Sequence, residues 1–154
     1  MALENNYIGR GWSFPPRFRA PTLAPAANQL PADGGVEIVT GLTDIDQSLY
    51  ILFTTHLGER VMLPDYGTEL HQKVFEAFDA GLEAQLQHLV TLAVLDHEPR
   101  INVVEVTVSP SEDEPAMVLI DLLYQVRSTN ARHNYVYPFY LQEGSELNTT
   151  PAAA

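Results

Sequence analysis

Met117–Arg127 reads MVLIDLLYQVR. Val118, Ile120, Leu122, Tyr124 and Val126 occupy every second position, with Leu119, Asp121, Leu123, Gln125 and Arg127 between them. A period of two places the two sets on opposite faces of a β-strand. Upstream, Val104, Val106 and Val108 alternate with Glu105, Thr107 and Ser109, and the acidic loop Pro110–Pro115 (PSEDEP) joins the two runs as a hairpin. Downstream, a turn around Ser128–His133 leads to Tyr135, Val136, Tyr137, Phe139 and Tyr140. The second half therefore reads as an antiparallel β-meander with 117–127 in the middle. Pro138 has no N–H to give to a ladder, which predicts an edge position for the last strand.

The pattern before this meander is helical. Thr43 predicts a helix N-cap, with Asp44 and Asp46 in the first turn, where the helix dipole favours acids. Ile45, Leu49, Leu52 and Phe53 follow at helical spacing, and the helix is expected to run to about Gly58. Glu59–Thr68 (ERVMLPDYGT) is a loop holding Pro64 and Gly67. Glu69–Phe78 predicts a short amphipathic helix through Leu70, Val74, Phe75 and Phe78. Leu82, Leu86, Leu89, Val90 and Ala93 form the clearest helical stripe, and Pro99 ends it while pushing Glu98 toward extended geometry. The fold class is α+β, with two to three helices packed on the meander.

Residues 1–35 read as an extended arm, 36–144 as the α+β domain and 145–154 as a flexible tail. Five of the eleven prolines lie between Pro15 and Pro31. The arm nevertheless carries Tyr7, Ile8, Trp12, Phe14 and Phe18, too aromatic for a plain linker. Trp12, Phe14 and Phe18 are therefore expected to dock on something. Val36–Thr40 reads as a short strand, broken by Gly41.

Composition narrows the function. The 154 residues are 45% apolar, enough for a real core. The net charge is −12, while residues 1–20 hold Arg10, Arg17 and Arg19 against Glu4 alone. An acidic body repels nucleic acid and anionic membranes, so neither is expected as a partner. No apolar run approaches a membrane span, and MALENNYIGRGW lacks the order of a secretory signal. Without cysteine there is no disulfide framework, thiol nucleophile or thiolate metal site.

Catalytic patterns are weak. His56, His71, His88, His97 and His133 are scattered, with no pair at the spacing of a helical zinc motif, so no metal is expected. No phosphate-binding glycine loop or nucleophile elbow occurs, and no cofactor is implied. Glu59, Glu69 and Glu98 lie in or beside loops and could supply a carboxylate pair for glycoside hydrolysis, but twenty acids make some close pair expected by chance. Asp96–Ile101 (DHEPRI) stands at the corner between the last helix and the first strand of the meander. Arg100 can pair with Glu98 or Glu59 and simply close that corner; an exposed pair of this kind contributes only about 0–1 kcal/mol. Alternatively, a stiff charged corner makes a docking element, because rigidity lowers the ordering cost of binding.

Four segments, in order, resemble the baseplate wedge and sheath-initiator family of contractile tails: GRGWSFPPRF (Gly9–Phe18), GLTDIDQSLYILFTTHLGERVMLPDYGTEL (Gly41–Leu70), EPRI (Glu98–Ile101) and YQVRSTNARHNYVYPFYL (Tyr124–Leu141). That family includes the gene-product-25-like wedge proteins of contractile-tailed phages and the matching baseplate subunit of type VI secretion. His56 departs from the small residue or proline that members often carry. The resemblance implies a structural protein rather than an enzyme, with a fold similar to the conserved domain of the sheath subunit. It implies a place in the baseplate of a contractile particle after synthesis in the bacterial cytoplasm, in several copies, six in the usual case. Its implied partners are baseplate wedge proteins, the sheath subunit, and tube or hub proteins. Glu98, Pro99 and Arg100 match the family's wedge-docking motif. The hairpin from Tyr124 to Tyr140 matches the edge that receives a sheath strand, with Tyr124, Val126, Arg127, Asn130, Tyr135 and Tyr137 as the expected sheath-binding residues. The resemblance leaves open whether the machine is a phage tail, an extracellular injection particle or a type VI apparatus; the aromatic arm inclines toward the first two. Because some relatives carry a lysozyme label, a baseplate-associated peptidoglycan hydrolase is the runner-up. A free regulatory adaptor is a third class.

Overall fold

A computed structural model describes residues 8–19, 35–114 and 116–141. Tyr7, the remainder of the proline-rich stretch and the 145–154 tail lie outside the described residues. The chain divides into two compact units, Met1–Ile51 and Leu52–Ala154.

In the first unit, β1 (Arg10–Trp12) pairs antiparallel with β4 (Ile38–Thr40), and β2 (Phe18–Arg19) with β3 (Gly35–Val36). The arm is thus one strand of a broken ribbon. Glu37 bridges the break: its carbonyl accepts from Ser13 N–H at 2.9 Å and its N–H donates to the Arg17 carbonyl at 2.8 Å. The residues between, including Pro15 and Pro16, bulge out of the ladder to which prolines cannot donate. Ser13 is buried; its hydroxyl accepts from Arg17 N–H and donates to the Pro15 carbonyl.

Gly41, at φ +66°, turns the ribbon into α1 (Leu42–Thr54). The helix starts one residue before the expected Thr43 cap and ends four before Gly58, at the Thr54–Thr55 boundary. Its expected core residues Ile45, Leu49, Leu52 and Phe53 are all buried. Gln47 Oε1 accepts from Phe14 N–H at 2.8 Å, and the Phe14 and Tyr50 rings lie 5.8 Å apart.

In the second unit, Phe53 packs on the sheet through Tyr135 and Tyr137, with centroids 6.1 and 5.4 Å away. The expected helix over Glu69–Phe78 does not form. Only a 3-10 turn, Leu70–Lys73, is present, because Val74 turns extended and Phe75 takes a left-handed φ of +76°. Phe75 N–H donates to the Leu141 carbonyl instead of a helical one, and its ring is exposed. α2 (Ala80–His97) is capped by Asp79, whose Oδ1 accepts from Leu82 N–H at 2.8 Å. It buries Leu82, Leu86, Val90, Ala93 and Val94 and packs on β5. Its last bond is Glu98 N–H to the Val94 carbonyl, at 2.9 Å, because Pro99 has no N–H to continue the ladder.

The sheet is β5 (Ile101–Pro110), β6 (Met117–Val126) and β7 (Arg132–Tyr140), in that order and antiparallel. This is the α+β meander that the alternation predicts, with β6 central and β7 at an edge. Val118, Ile120, Leu122, Tyr124 and Val126 are all buried. Each such side chain contributes roughly 1.5–3 kcal/mol of burial. One residue departs from the expected phase. A bulge between Val103 and Glu105 turns Val104 outward, 44% exposed, while Val106 and Val108 remain on the inner face.

Candidate functional site

The corner between α2 and β5 holds a two-pronged ion pair. Arg100 Nε donates to Glu98 Oε1 at 2.6 Å and Nη2 to Oε2 at 2.7 Å. Glu98 is only 3% exposed, and the Arg100 side chain 27%. The partner of Arg100 is therefore Glu98 and not Glu59, whose carboxylate accepts from His56 N–H. Such a pair is not the exposed kind. In a dry site the fork geometry matters, and losing one member strands the other. Pro99 is exposed between them.

Two residues not singled out by sequence pattern, Tyr66 and Arg60, complete the corner. The Tyr66 ring lies tilted against His97 with centroids 5.1 Å apart, and the Arg60 guanidinium sits 3.9 Å over the Tyr66 ring. Burial raises the Tyr66 phenol above its ordinary 10.0; Arg60 opposes this and the Glu98 charge adds to it. Tyr66 thus feels the charges of both Arg60 and Glu98, and Glu98 in turn is paired with Arg100. The Gly58-Glu59-Arg60 and Tyr66-Gly67 steps of the 58–67 loop were the available signal, but sequence does not show that this loop folds back against α2.

The Arg100 carbonyl accepts from Arg127 N–H at 3.0 Å, so the corner is tied directly to the β6–β7 turn. Arg127 Nε donates to Asn102 Oδ1, and Gln125 Nε2 donates to both Asn130 oxygens. Asn130 sits at φ +58°, a left-handed position that asparagine tolerates, and closes the turn through its N–H to the Val126 carbonyl.

The expected sheath-binding residues separate into groups. Tyr124 and Val126 are buried on the central strand, with pairing on both sides, so neither offers an edge. The reading of these two is corrected: the hairpin's first strand is enclosed by β5. Tyr135 and Tyr137 lie on β7, but antiparallel bonding alternates. Val126 N–H donates to the Ala131 carbonyl at one end and Leu141 N–H to the Ala116 carbonyl at the other. Counting from either end aims the backbone groups of His133, Tyr135, Tyr137 and Phe139 at β6. Those of Arg132, Asn134, Val136 and Tyr140 point away from it, toward no described strand. Pro138 falls in this outward set, so its missing N–H takes nothing from the β6–β7 ladder. On the opposite side of the sheet, β5 is kinked by its bulge, a device that discourages edge pairing. β7 is the more regular edge.

In the first unit, Trp12 and Phe18 are 68% and 74% exposed, and Phe14 packs on Tyr50. Phe14, Pro15, Thr43, Asp46, Gln47 and Tyr50 line an open cavity of about 560 Å³. Among the described residues no group of three or more His, Cys, Asp or Glu is placed to hold a metal ion. No described helix is long and apolar enough to cross a membrane.

Residues 39–131, which contain the corner and the β6–β7 turn, match the family described as baseplate wedge protein gp25. The chain belongs to the gp25 baseplate wedge family. Among curated members, baseplate protein W of Escherichia phage P2 is 37% identical over 75 residues, covering 49% of this chain. Baseplate wedge protein gp25 of Enterobacteria phage T4 is 30% identical over 79 residues, covering 51%. The matching segments span 65% and 60% of those relatives' own length. Among solved structures, a Geobacter sulfurreducens protein named as a candidate tail lysozyme is 44% identical, with a TM-score of 0.61 over 66% of this chain and 92% of its own. A chain of the six-fold symmetrised anti-feeding prophage baseplate is 26% identical, with a TM-score of 0.58 over 89% of each chain. The family match agrees with the resemblance carried by the four sequence segments.

Proposed function

We propose that this protein is a structural component of a contractile particle's baseplate, docked on wedge proteins through the Glu98–Pro99–Arg100 corner, and that it starts the sheath by offering β7 to a sheath strand. The observation that carries the reading is β7 itself, a regular strand whose outward backbone groups meet no described partner. An uncovered edge is ordinarily a hazard; here it is the working surface, and a strand from the first sheath ring extends the sheet by β-augmentation. The Arg127–Arg100 bond sets this edge rigidly on the docking corner, so seating the corner on a wedge fixes where the edge points. The exposed aromatics Trp12 and Phe18 supply a separate contact for tube or hub proteins. The six-fold symmetrised baseplate of the similar anti-feeding prophage chain supports six copies in this reading.

The test is assembly. Particles whose copy carries Arg100→Lys keep a positive charge beside Glu98 but lose the fork. Protein that folds normally by circular dichroism but is missing from purified baseplates supports docking through the corner. Normal incorporation refutes it.

A second reading, peptidoglycan hydrolysis, draws on the name of the Geobacter relative. The geometry opposes Glu98 as its acid. Both Glu98 oxygens are bonded to Arg100 and buried, so the group cannot protonate a glycosidic oxygen. Sustained muropeptide release by the pure protein, abolished by Glu59→Gln or Glu98→Gln, would favour this enzyme.

A further inference from the structure

His56 and His71 meet across the neck of the loop between α1 and the 3-10 turn. Their ring centroids are 3.9 Å apart, with the planes 38° from one another. The two stand far from the i, i+4 spacing of a helical metal motif, and it is the backbone that brings them together. His56 forms a parallel bridge with Thr68. Thr68 N–H donates to the Thr55 carbonyl at 2.9 Å, its hydroxyl donates to the Phe53 carbonyl, and Leu57 N–H donates to the Thr68 carbonyl. Gly67 lets the two sides of the neck touch, since a Cβ there would lie 3.0 Å from the His56 carbonyl. Buried Leu70 then anchors the 3-10 turn that carries His71. Both histidines are exposed, and no described residue hydrogen-bonds either imidazole. Each neutral ring therefore keeps one nitrogen lone pair open to solvent.

We propose that His56 and His71 together bind one divalent transition-metal ion of the zinc, nickel or copper class, and that the ion staples the neck of this loop. Imidazole nitrogen suits these ions, whereas calcium and magnesium take oxygen ligands. The separation fits. With metal–nitrogen bonds of about 2.0–2.1 Å, two imidazoles on neighbouring coordination positions hold their centres roughly 4.5–5 Å apart. The pair stands at 3.9 Å, and exposed side chains turn through the remaining distance of about 1 Å on a fast timescale. Local charge favours a cation. Glu59 Oε2 accepts from His56 N–H at 2.8 Å, and Lys73, two residues beyond His71, is offset by Glu76 at 3.1 Å. Among the described residues no third His, Asp or Glu completes the set, so water holds the other positions, as in an open site. The ion binds the folded neck, where the rings are adjacent, in preference to the unfolded chain, where they are apart. Binding therefore stabilises the fold by mass action. The inference stands independently of the docking corner and of the β7 edge.

The experiment uses the purified full-length chain without a histidine tag, titrated with Zn²⁺ or Ni²⁺ by isothermal calorimetry and followed by thermal unfolding. One ion per chain should bind. Tm should rise with metal concentration and fall back when a chelator is added, and Mg²⁺ should have no effect. His56→Ala and His71→Ala should each weaken binding by about tenfold or more and remove the rise in Tm, whereas His88→Ala should leave both unchanged. Both neck side chains are exposed, so the variants should match the parent by circular dichroism without metal. Electron paramagnetic resonance of the Cu²⁺-loaded parent should show coupling to two imidazole nitrogens, and each single variant coupling to one. Parent-like affinity in either single variant, or coupling to only one nitrogen in the parent, overturns the site. An equal metal response in the parent and in His56→Ala/His71→Ala places the ion on other groups and overturns it as well.

Discussion

Replacing Arg100 with alanine tests the physical premise behind the corner. The guanidinium makes two bonds, 2.6 and 2.7 Å, to a carboxylate in a residue that is 3% exposed. Its removal leaves a buried charge without its cation, a change that costs roughly 3–5 kcal/mol. Arg100 itself is about a quarter exposed, and water entering the vacated space favours the low end, near ~3 kcal/mol. For a chain of this size that is a drop of about 6–12 °C in Tm. The pH dependence gives a second check. Without Arg100, burial disfavours the charged form of Glu98, so its folded pKa rises above its unfolded one. A raised folded pKa means that stability is lost as pH rises through and above the ordinary glutamate value of about 4.3. The deficit relative to the parent should therefore be smaller at pH 5 than at pH 8. Adding Glu98→Gln to the variant removes the buried charge and should recover part of the loss. Urea unfolding followed by far-ultraviolet circular dichroism measures all of these. A deficit below about 1 kcal/mol at pH 8, or one that does not change with pH, would refute the reasoning, because the pair would then be behaving as a solvated one.

Gly67→Ala should destabilise by about 2 kcal/mol or more, since φ is +127° and a Cβ would lie 2.6 Å from the Thr55 carbonyl oxygen; an unchanged urea midpoint would contradict this. Tyr66 should titrate above an ordinary phenol in an alkaline absorbance titration, seen as the difference between the parent and Tyr66→Phe. Because its folded pKa is raised, stability should fall as pH climbs past 10.0, and Tyr66→Phe should remove the Tyr66 share of both effects. Tyr135→Pro deletes an N–H aimed at β6 and should destabilise by about 3 kcal/mol, whereas Val136→Pro deletes one aimed outward and should leave the melting curve within about 1 kcal/mol of the parent.

The parts legible in the sequence were those carried by periodicity. Ile45, Leu49, Leu52 and Phe53 are the buried face of α1, and the 118–126 alternation marks the central strand's core. Periodicity failed where a single backbone angle intervened. Val74 and Phe75 look helical by spacing, yet the left-handed Phe75 sends its N–H to Leu141. Val104 fits an alternating strand until the bulge shifts the phase. At the candidate site, DHEPRI announced a charged corner but not that Glu98 is buried or that Tyr66 and Arg60 of a distant loop come to its side. The outward face of the β7 ladder needed knowledge of the turn. The bonds at either end of the β6–β7 pair decide that the backbone groups of Val136 point outward and those of Tyr135 inward, and a one-residue change of register would reverse them.

The central claim, that β7 receives the first sheath strand, is tested most directly by negative-stain microscopy of particles carrying Val136→Pro, once the variant is shown to fold and to reach the baseplate. The account predicts baseplates with bare tubes, because the outward ladder is interrupted at its middle while the protein's own sheet is intact. Fully sheathed particles would contradict it.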